Sequence, residues 1–150
     1  MRLSLQVQYA ICGVFDLAYN GAGQRVPVQE ISARQGIPVR YLEQIFQRLR
    51  RAELIDSKRG PGGGYALVGE PARITLRSVI EAVEGPLAEV LVASGSEPPG
   101  EYAFRPGFLW PELVSRLSAC LDELSVADLC RHASEARVER AEREGPMYFI

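Results

Sequence analysis

The fold of this chain is decided by the stretch IPVRYLEQIFQRLRRAELIDSKRGPGGGYALV, which occupies residues 37–68. Pro38 suits the first turn of a helix. The first half of the stretch then places apolar residues at i, i+3, i+4 and i+7, the spacing of a helix with one buried face: Leu42, Ile45, Phe46 and Leu49. The pattern predicts an amphipathic helix that packs this stripe on a core.

The second half of the stretch predicts a β-hairpin with a glycine-rich tip. Segments 54–57 and 65–68 are short, contain residues compatible with strands, and flank the run from Lys58 to Gly64. A phosphate-binding P-loop would need Lys and then Ser or Thr after the last glycine, whereas here Tyr65 continues as a strand. The two interpretations left open are a plain flexible turn and a wing that contacts DNA.

Two helices, the second of them short, are predicted before this stretch. Asn20 and Gly21 end the first, and the second covers residues 29–34 and ends at Gly36 in a left-handed conformation. The inward residues of the first are Leu3, Val7, Ala10, Ile11, Val14, Leu17 and Ala18. The inward residues of the second are Ile31 and Ala33. The second helix and the helix after Pro38 are joined by a turn of only a few residues. Two helices joined in this way form a helix-turn-helix, and its second helix is the candidate recognition helix.

The C-terminal half predicts further helices around a loop. Thr75 is an N-cap for a helix that runs to Glu84, and residues 93–107 contain the glycine and proline pairs typical of a loop or linker. A longer helix is expected from Pro111, and Ser125 can cap the next one. The longer helix has a narrow apolar stripe that suits either pairing with an identical helix or packing on the chain's own core: Leu113, Leu117, Cys120, Leu121 and Leu124.

The net charge of −2 conceals two unlike halves. Residues 1–66 carry nine Lys and Arg against five Asp and Glu, and residues 67–150 carry eight against fourteen. A basic N-terminal module is therefore joined to an acidic segment. Residues 135–144 are almost all charged, and we expect a solvated helix end or a frayed tail there.

The cysteines indicate a reducing compartment. Cys12, Cys120 and Cys130 are odd in number, far apart and in no CxxC spacing, which fits a cytoplasmic protein better than a disulfide-bonded one. Polar residues interrupt the apolar content of the first twenty positions, and no apolar run reaches the length of a membrane span. We therefore expect a cytoplasmic protein without a membrane partner.

One face of the candidate recognition helix and the hairpin tip carry the side chains that read base edges or grip phosphates. In the helix these are Arg40, Tyr41, Glu43, Gln44, Gln47, Arg48 and Arg51, together with Pro38 at its start. In the hairpin they are Lys58, Arg59, Gly60, Gly62 and Gly63, and at the N-terminus Arg2 and Ser4. A glycine tip lets the backbone approach DNA while Arg59 enters the minor groove.

Several separated motifs also carry a family resemblance. They are Met1-Arg2-Leu3-Ser4, Tyr9-Ala10, Tyr41-Leu42-Glu43-Gln44-Ile45, Leu49-Arg50, Arg59-Gly60-Pro61-Gly62-Gly63-Gly64-Tyr65, Ile74-Thr75-Leu76 and Glu84-Gly85-Pro86. In order and spacing they closely resemble the Rrf2 family of bacterial transcription regulators over nearly all of residues 1–86. Trp110, Leu117 and the segment 125–129 extend the resemblance more weakly.

The resemblance implies a mainly α fold with a small β-hairpin. Residues 1–86 would form a winged helix-turn-helix that binds double-stranded DNA, and residues 87–150 a loop, a dimerisation helix and a charged tail. The dimerisation set would comprise Trp110, Leu113, Leu117, Cys120, Leu121 and Leu124. The expected protein is a homodimer on a roughly palindromic operator, and we expect repression by occlusion of promoter DNA.

The chain departs from the cluster-binding members of the family in the segment that would hold an iron-sulfur cluster. Cluster-binding members carry three closely spaced cysteines between the fourth helix and the dimerisation helix, and residues 87–109 contain none. We therefore expect no cofactor and no metal site. The alternatives left open are an atypical iron-sulfur cluster, for which Cys12 lies near a ligand position of some relatives, and a thiol switch at Cys120 or Cys130.

Two other functions compete with DNA binding. A regulator of this fold could act mainly through a protein partner such as a metabolic enzyme, or respond to a small effector near Trp110. An enzyme has no support, because the sequence shows no nucleophile paired with a base and its single histidine, His132, has no identifiable partner. Salt-dependent binding to duplex DNA distinguishes a DNA regulator from a protein-only module.

Overall fold

A computed structural model describes residues 2–92 and 103–142 of the chain. The described part contains seven α-helices, a two-stranded antiparallel sheet and one short 3₁₀ turn. In chain order the elements are α1 Leu5–Tyr19, α2 Val28–Gln35, α3 Val39–Arg51, β1 Ile55–Lys58, β2 Gly64–Leu67, the 3₁₀ turn Pro71–Arg73, α4 Leu76–Glu84, α5 Leu87–Leu91, α6 Leu109–Asp122 and α7 Val126–Glu135. The predicted fold class, a mainly α winged helix-turn-helix with C-terminal helices, is confirmed.

The predicted apolar stripe of α3 forms the centre of the core. Leu42, Phe46 and Leu49 are fully buried and Ile45 is 3% exposed. Gly13 of α1 allows the close approach of these two helices, because a Cβ there would lie 2.6 Å from Cε1 of Phe46. An alanine at Gly13 would push α1 away from the helix that presents the candidate site.

Several predicted helix boundaries agree with the structure because they depend on local chemistry. The Thr75 side chain accepts a hydrogen bond from the Ser78 amide, and Ser125 forms a reciprocal capping box with Asp128. Gly36 ends α2 with a φ of 66°. The residues at the starts of α4 and α7 pair with each other: the amide of Leu76 donates to the Leu124 carbonyl, and the amide of Val126 donates to the Ile74 carbonyl, each over 2.8 Å.

Other expectations were wrong. Leu3 precedes α1 and is 54% exposed, because the helix begins only after its cap at Ser4. Ala33 lies on the exposed side of α2, since Val28 and Ile31 supply its buried residues. The long helix begins at Leu109 rather than Pro111, and the short helix α5 was not predicted. Most of the predicted loop 93–107 lies outside the described residues.

The expected solvated tail is exposed over residues 135–140, but three contacts also join it to the end of α1. The Tyr19 hydroxyl donates to the Val138 carbonyl over 2.8 Å, and the Ala141 amide donates to Oδ1 of Asn20 over 2.8 Å. The Arg140 guanidinium lies 4.3 Å from the centroid of the Tyr19 ring. The charge pattern of this segment did not reveal these contacts, because two of the three use main-chain groups that every sequence carries. The rest of the expected tail, from 143, lies outside the described residues.

Candidate nucleic-acid interface

The outer face of α3 presents the predicted recognition residues to solvent. All seven are exposed, on the part of the helix that the buried stripe does not occupy: Arg40, Tyr41, Glu43, Gln44, Gln47, Arg48 and Arg51. Pro38, at the N-cap of α3, is also exposed. The face combines cations for phosphates with amide, carboxylate and phenol groups that can bond base edges. It has the composition expected of a helix that enters the major groove.

The β-hairpin is held rigidly beside this helix. The Tyr65 ring packs edge-on against Phe46 with centroids 4.8 Å apart, and the Arg50 guanidinium donates to Oγ of Ser57 over 2.8 Å. Val26 pairs with Tyr65 through two main-chain hydrogen bonds of 2.8 and 2.9 Å. Gly64 makes this pairing possible, since a Cβ there would lie 2.5 Å from the Val26 carbonyl oxygen. The base of the hairpin is therefore fixed while its tip projects.

The hairpin tip is exposed and almost free of side-chain bulk. Lys58, Arg59, Gly60 and Gly62 are exposed, and Gly63 is half-buried where its amide closes the turn onto the Gly60 carbonyl over 2.9 Å. The observed strands begin and end within one residue of the predicted ones. A tip of this kind presents main-chain groups and two cations to an approaching polyanion.

Sequence reasoning missed Arg25, which braces the hairpin from the opposite side. Its guanidinium makes a bidentate pair with Asp56, at 2.7 and 3.2 Å. A cleft of about 460 Å³ separates the hairpin tip from the start of α2 and is lined by Arg25, Gln29 and Lys58 among others. No local pattern marks Arg25, because its partner is thirty-one positions away in sequence.

Two predicted contact residues already have partners within the chain. Ser4 caps α1 by accepting the Val7 amide, and its hydroxyl donates to the Glu84 carboxylate. Nη1 of Arg48 donates to Gln6 and to a main-chain carbonyl of α4. Arg2 is exposed. The DNA contacts expected of these three residues stay predictions.

An ion pair with a fully buried carboxylate fixes α2, the first helix of the helix-turn-helix, against α1. Asp16 of α1 is fully buried, and Arg34 of α2 donates to both of its oxygens at 2.7 and 3.0 Å. Gln35 and Asn20 donate to the same carboxylate over 2.9 and 3.2 Å. The carboxylate thus has four donors, which offset the cost of burying its charge. In the sequence, Asp16 stands out only as a polar interruption of α1.

The predicted dimerisation residues of α6 divide between two environments. Trp110 is 46% and Leu113 41% exposed, and Cys120 is also exposed, whereas Leu121 packs on the core. Leu117 is half-buried; Leu124 is half-buried too, but it follows the end of α6 at Asp122 and so lies outside the helix on which it was predicted. An apolar groove of about 340 Å³ runs along α6 between α1, α4 and α5. A single copy of the chain therefore leaves a large part of this stripe in contact with water.

The three cysteines do not form a cluster site with the donors around them. All three are free thiols, and within residues 2–92 and 103–142 no group of three or more His, Cys, Asp or Glu side chains could hold a metal ion. An iron-sulfur cluster of the family type needs several thiolates together. The donors in the described part of the chain do not fit such a group.

Burial raises the pKa of the Cys12 and Cys130 thiols above their ordinary value, with Arg140 opposing the shift at Cys130. Because the thiolate is the reactive form, both should react slowly with iodoacetamide at pH 7. We expect the rate at each to rise about tenfold per pH unit until the pH passes the raised pKa. Mass spectrometry of tryptic peptides measures this. Modification at pH 7 as fast as that of free cysteine would contradict the burial of either thiol.

No helix in the described ranges is both long and apolar enough to span a bilayer.

Comparison with known proteins extends the resemblance seen in the sequence. The family model described as Rrf2, iron-dependent transcriptional regulator, matches residues 3–132. The chain is 36% identical to the HTH-type transcriptional regulator IscR of Vibrio atlanticus over 131 residues, which covers 87% of this chain and 76% of that protein. It is 36% identical to IscR of Escherichia coli O1:K1 over 129 residues, with coverages of 86% and 80%.

Solved structures of IscR and CymR are also similar to this chain. IscR of T. potens superposes with a TM-score of 0.71 at 31% identity, covering 99% of this chain and 97% of that one. CymR of B. subtilis, described as the global cysteine regulator, superposes with a TM-score of 0.70 at 28% identity, with coverages of 88% and 98%. The likeness thus includes the helices after the hairpin as well as the winged helix.

Proposed function

The chain belongs to the Rrf2 family of transcriptional regulators, and on that basis we propose that it binds a roughly palindromic operator as a homodimer and represses transcription without an iron-sulfur cluster. The observation that carries this proposal is the exposed polar and cationic face of α3 beside a braced glycine hairpin with Arg59 at its tip. The recognition helix would set sequence preference, and the cations would set affinity and its salt dependence. A repressor role follows if the bound dimer occludes a promoter. Its place of action would be the cytoplasm, where bacterial DNA lies.

Binding can be tested before the operator sequence is identified. A duplex of about 30 base pairs, enough for two half-sites, can be enriched from a random-sequence pool by the wild-type protein. This selected duplex and an unselected random duplex of equal length then serve as probes in fluorescence anisotropy. We expect tighter binding to the selected duplex, and a log Kd that rises linearly with log salt concentration. Equal binding to both probes would contradict sequence-specific recognition.

A separate prediction concerns the contribution of the hairpin to DNA binding. Arg59→Ala should weaken binding to the selected duplex by about 1–3 kcal/mol, because the variant lacks the exposed guanidinium that would enter the minor groove. Arg116→Ala is the matched control, since this arginine is 75% exposed on α6. Titration of both variants at one salt concentration measures the difference. If Arg59→Ala bound as tightly as the control, the wing would have no part in recognition.

The homodimer is supported by the partly exposed apolar stripe of α6. The groove along α6 is lined almost entirely by apolar side chains, among them Leu3 and Val90, which are 54% and 45% exposed. A second copy would offer the same stripe in return, as a two-fold interface requires. Covering these side chains would also explain why α6 has only one buried residue, Ser118, in the single chain.

The proposed independence from a cluster rests on the absence of cysteine from residues 87–109 and on the scattered thiols elsewhere. The signal to which the regulator responds would then differ from that of cluster-binding relatives. Iron analysis and the visible spectrum of protein purified without oxygen test this part of the proposal directly. A coloured, iron-bearing protein would overturn it.

A further inference from the structure

Arg48 lies where three helices meet. Its Nη1 atom donates to Oε1 of Gln6 in α1 over 2.9 Å and to the main-chain carbonyl of Val83 in α4 over 3.0 Å. Next to this contact, the Ser4 hydroxyl donates to the carboxylate of Glu84. The beginning of α1, the last turn of α3 and the end of α4 are therefore joined by side-chain hydrogen bonds.

The contact with Val83 has a specific physical role. α4 ends at Glu84, so the Val83 carbonyl is among the last four of the helix, which have no amide partner within it. A guanidinium at that point satisfies the carbonyl and places a positive charge at the negative end of the helix dipole. Arg48 thus caps the end of α4 from a neighbouring helix.

The contact with Gln6 also bridges the space between α3 and α1. A notch of about 280 Å³ separates α1 from α3, and Gln6, Tyr41, Gln44 and Arg48 are among the residues that line it. Arg48 closes this notch by bonding across to α1, one helical turn from Gln44. If the guanidinium turned away to a phosphate, it would leave both the Gln6 amide oxygen and the Val83 carbonyl without its donor.

We infer that Arg48 is a positioning residue, which fixes α3 against α1 and α4 so that Tyr41 and Gln44 face the bases, rather than a residue that grips DNA. This inference rests on the proposed function, because it concerns recognition of DNA by α3. It replaces the sequence-based expectation that Arg48 belongs with the phosphate-binding cations of the helix. It also gives Gln6, which no sequence pattern placed in the site, a part in recognition.

The test compares Arg48→Met with the wild-type protein on the selected and random duplexes across a range of salt concentrations. A misplaced α3 should weaken binding to the selected duplex about tenfold and leave the random duplex bound as before. The slope of log Kd against log salt should stay unchanged, because no phosphate contact is removed. Arg116→Met, which removes an exposed arginine from α6, is the control and should alter neither affinity nor slope.

Two results would overturn the inference. A loss of affinity equal on both duplexes, with a slope smaller by about 0.9, would make Arg48 a phosphate contact. Unchanged affinity on both duplexes would leave it without a role in recognition. Failure of the wild-type protein to discriminate between the duplexes is a different outcome, which counts against the proposed function itself.

Gln6→Leu supplies a second variant in case Arg48→Met does not fold. Gln6 is exposed and uncharged, so its replacement removes one bond of Arg48 without changing the charge of the surface. It should lower the ratio of selected to random affinity in the same direction as Arg48→Met. The double variant should be no worse than Arg48→Met alone, since both changes break the same contact. Additive losses, or no loss in Gln6→Leu, would contradict the positioning role.

Discussion

Arg34→Met is expected to lower the free energy of unfolding by about 3 kcal/mol. The substitution keeps most of the aliphatic stem of residue 34 but removes the cation that donates two hydrogen bonds to the fully buried carboxylate of Asp16. Gln35 and Asn20 would still donate to that carboxylate, but neither carries a charge. The loss comes chiefly from leaving the buried Asp16 carboxyl group without a counter-ion. Urea unfolding at fixed protein concentration measures it.

Two controls separate this loss from ordinary surface effects. Arg116→Met breaks an exposed i,i+4 pair with Glu112 and should cost less than about 0.5 kcal/mol. Adding Asp16→Asn to Arg34→Met removes the stranded charge and should recover part of the stability. A loss below about 1 kcal/mol in Arg34→Met, or a double variant markedly weaker than the single one, would mean that the pair does not hold α2 against α1.

If the protein is the homodimer proposed above, Leu113→Glu is expected to make it a monomer at micromolar concentration and to weaken binding to the selected duplex by about 100-fold or more. Leu113 is 41% exposed on the stripe of α6 that we propose as the dimer interface, so the change places a charge where two apolar faces would meet. A monomer engages one half-site and loses the avidity of two linked modules. Light scattering gives the mass and anisotropy gives the affinity.

The control for this change is Ala119→Glu, which adds the same charge to the same helix. Ala119 is exposed, and at six residues from Leu113 it points away from the stripe. The Ala119→Glu variant should therefore have the same mass in solution as the wild-type protein. Cys120 gives an independent readout, because it lies on the stripe and should react with iodoacetamide faster in the monomeric variant than in the dimer. Wild-type protein that is monomeric by light scattering would contradict the interface.

The features that the sequence predicted well depend on residues close together in the chain. The stripe from Leu42 to Leu49 follows the helical period, and the caps at Thr75 and Ser125 use partners three residues away. The hairpin could be placed within one residue because its glycines and flanking strands are contiguous. Local chemistry was therefore enough to predict the winged helix.

The features that the sequence missed depend on partners far apart in the chain. Asp16 meets Arg34 eighteen positions away, and Arg48 meets Val83 thirty-five positions away. The segment after α7 contacts Tyr19 across more than a hundred residues and through main-chain atoms. No periodicity or propensity encodes such contacts, because they arise only when helices pack.

Above all, we propose that this chain binds operator DNA as a regulator that needs no cluster. The most direct test is the affinity of iron-free wild-type protein for the selected duplex, measured against salt concentration. We expect specific binding with a steep salt dependence, because the cations of α3 and the hairpin displace counterions from the phosphates. Iron-free protein that does not bind the selected duplex, or whose binding is indifferent to salt, would contradict the proposal.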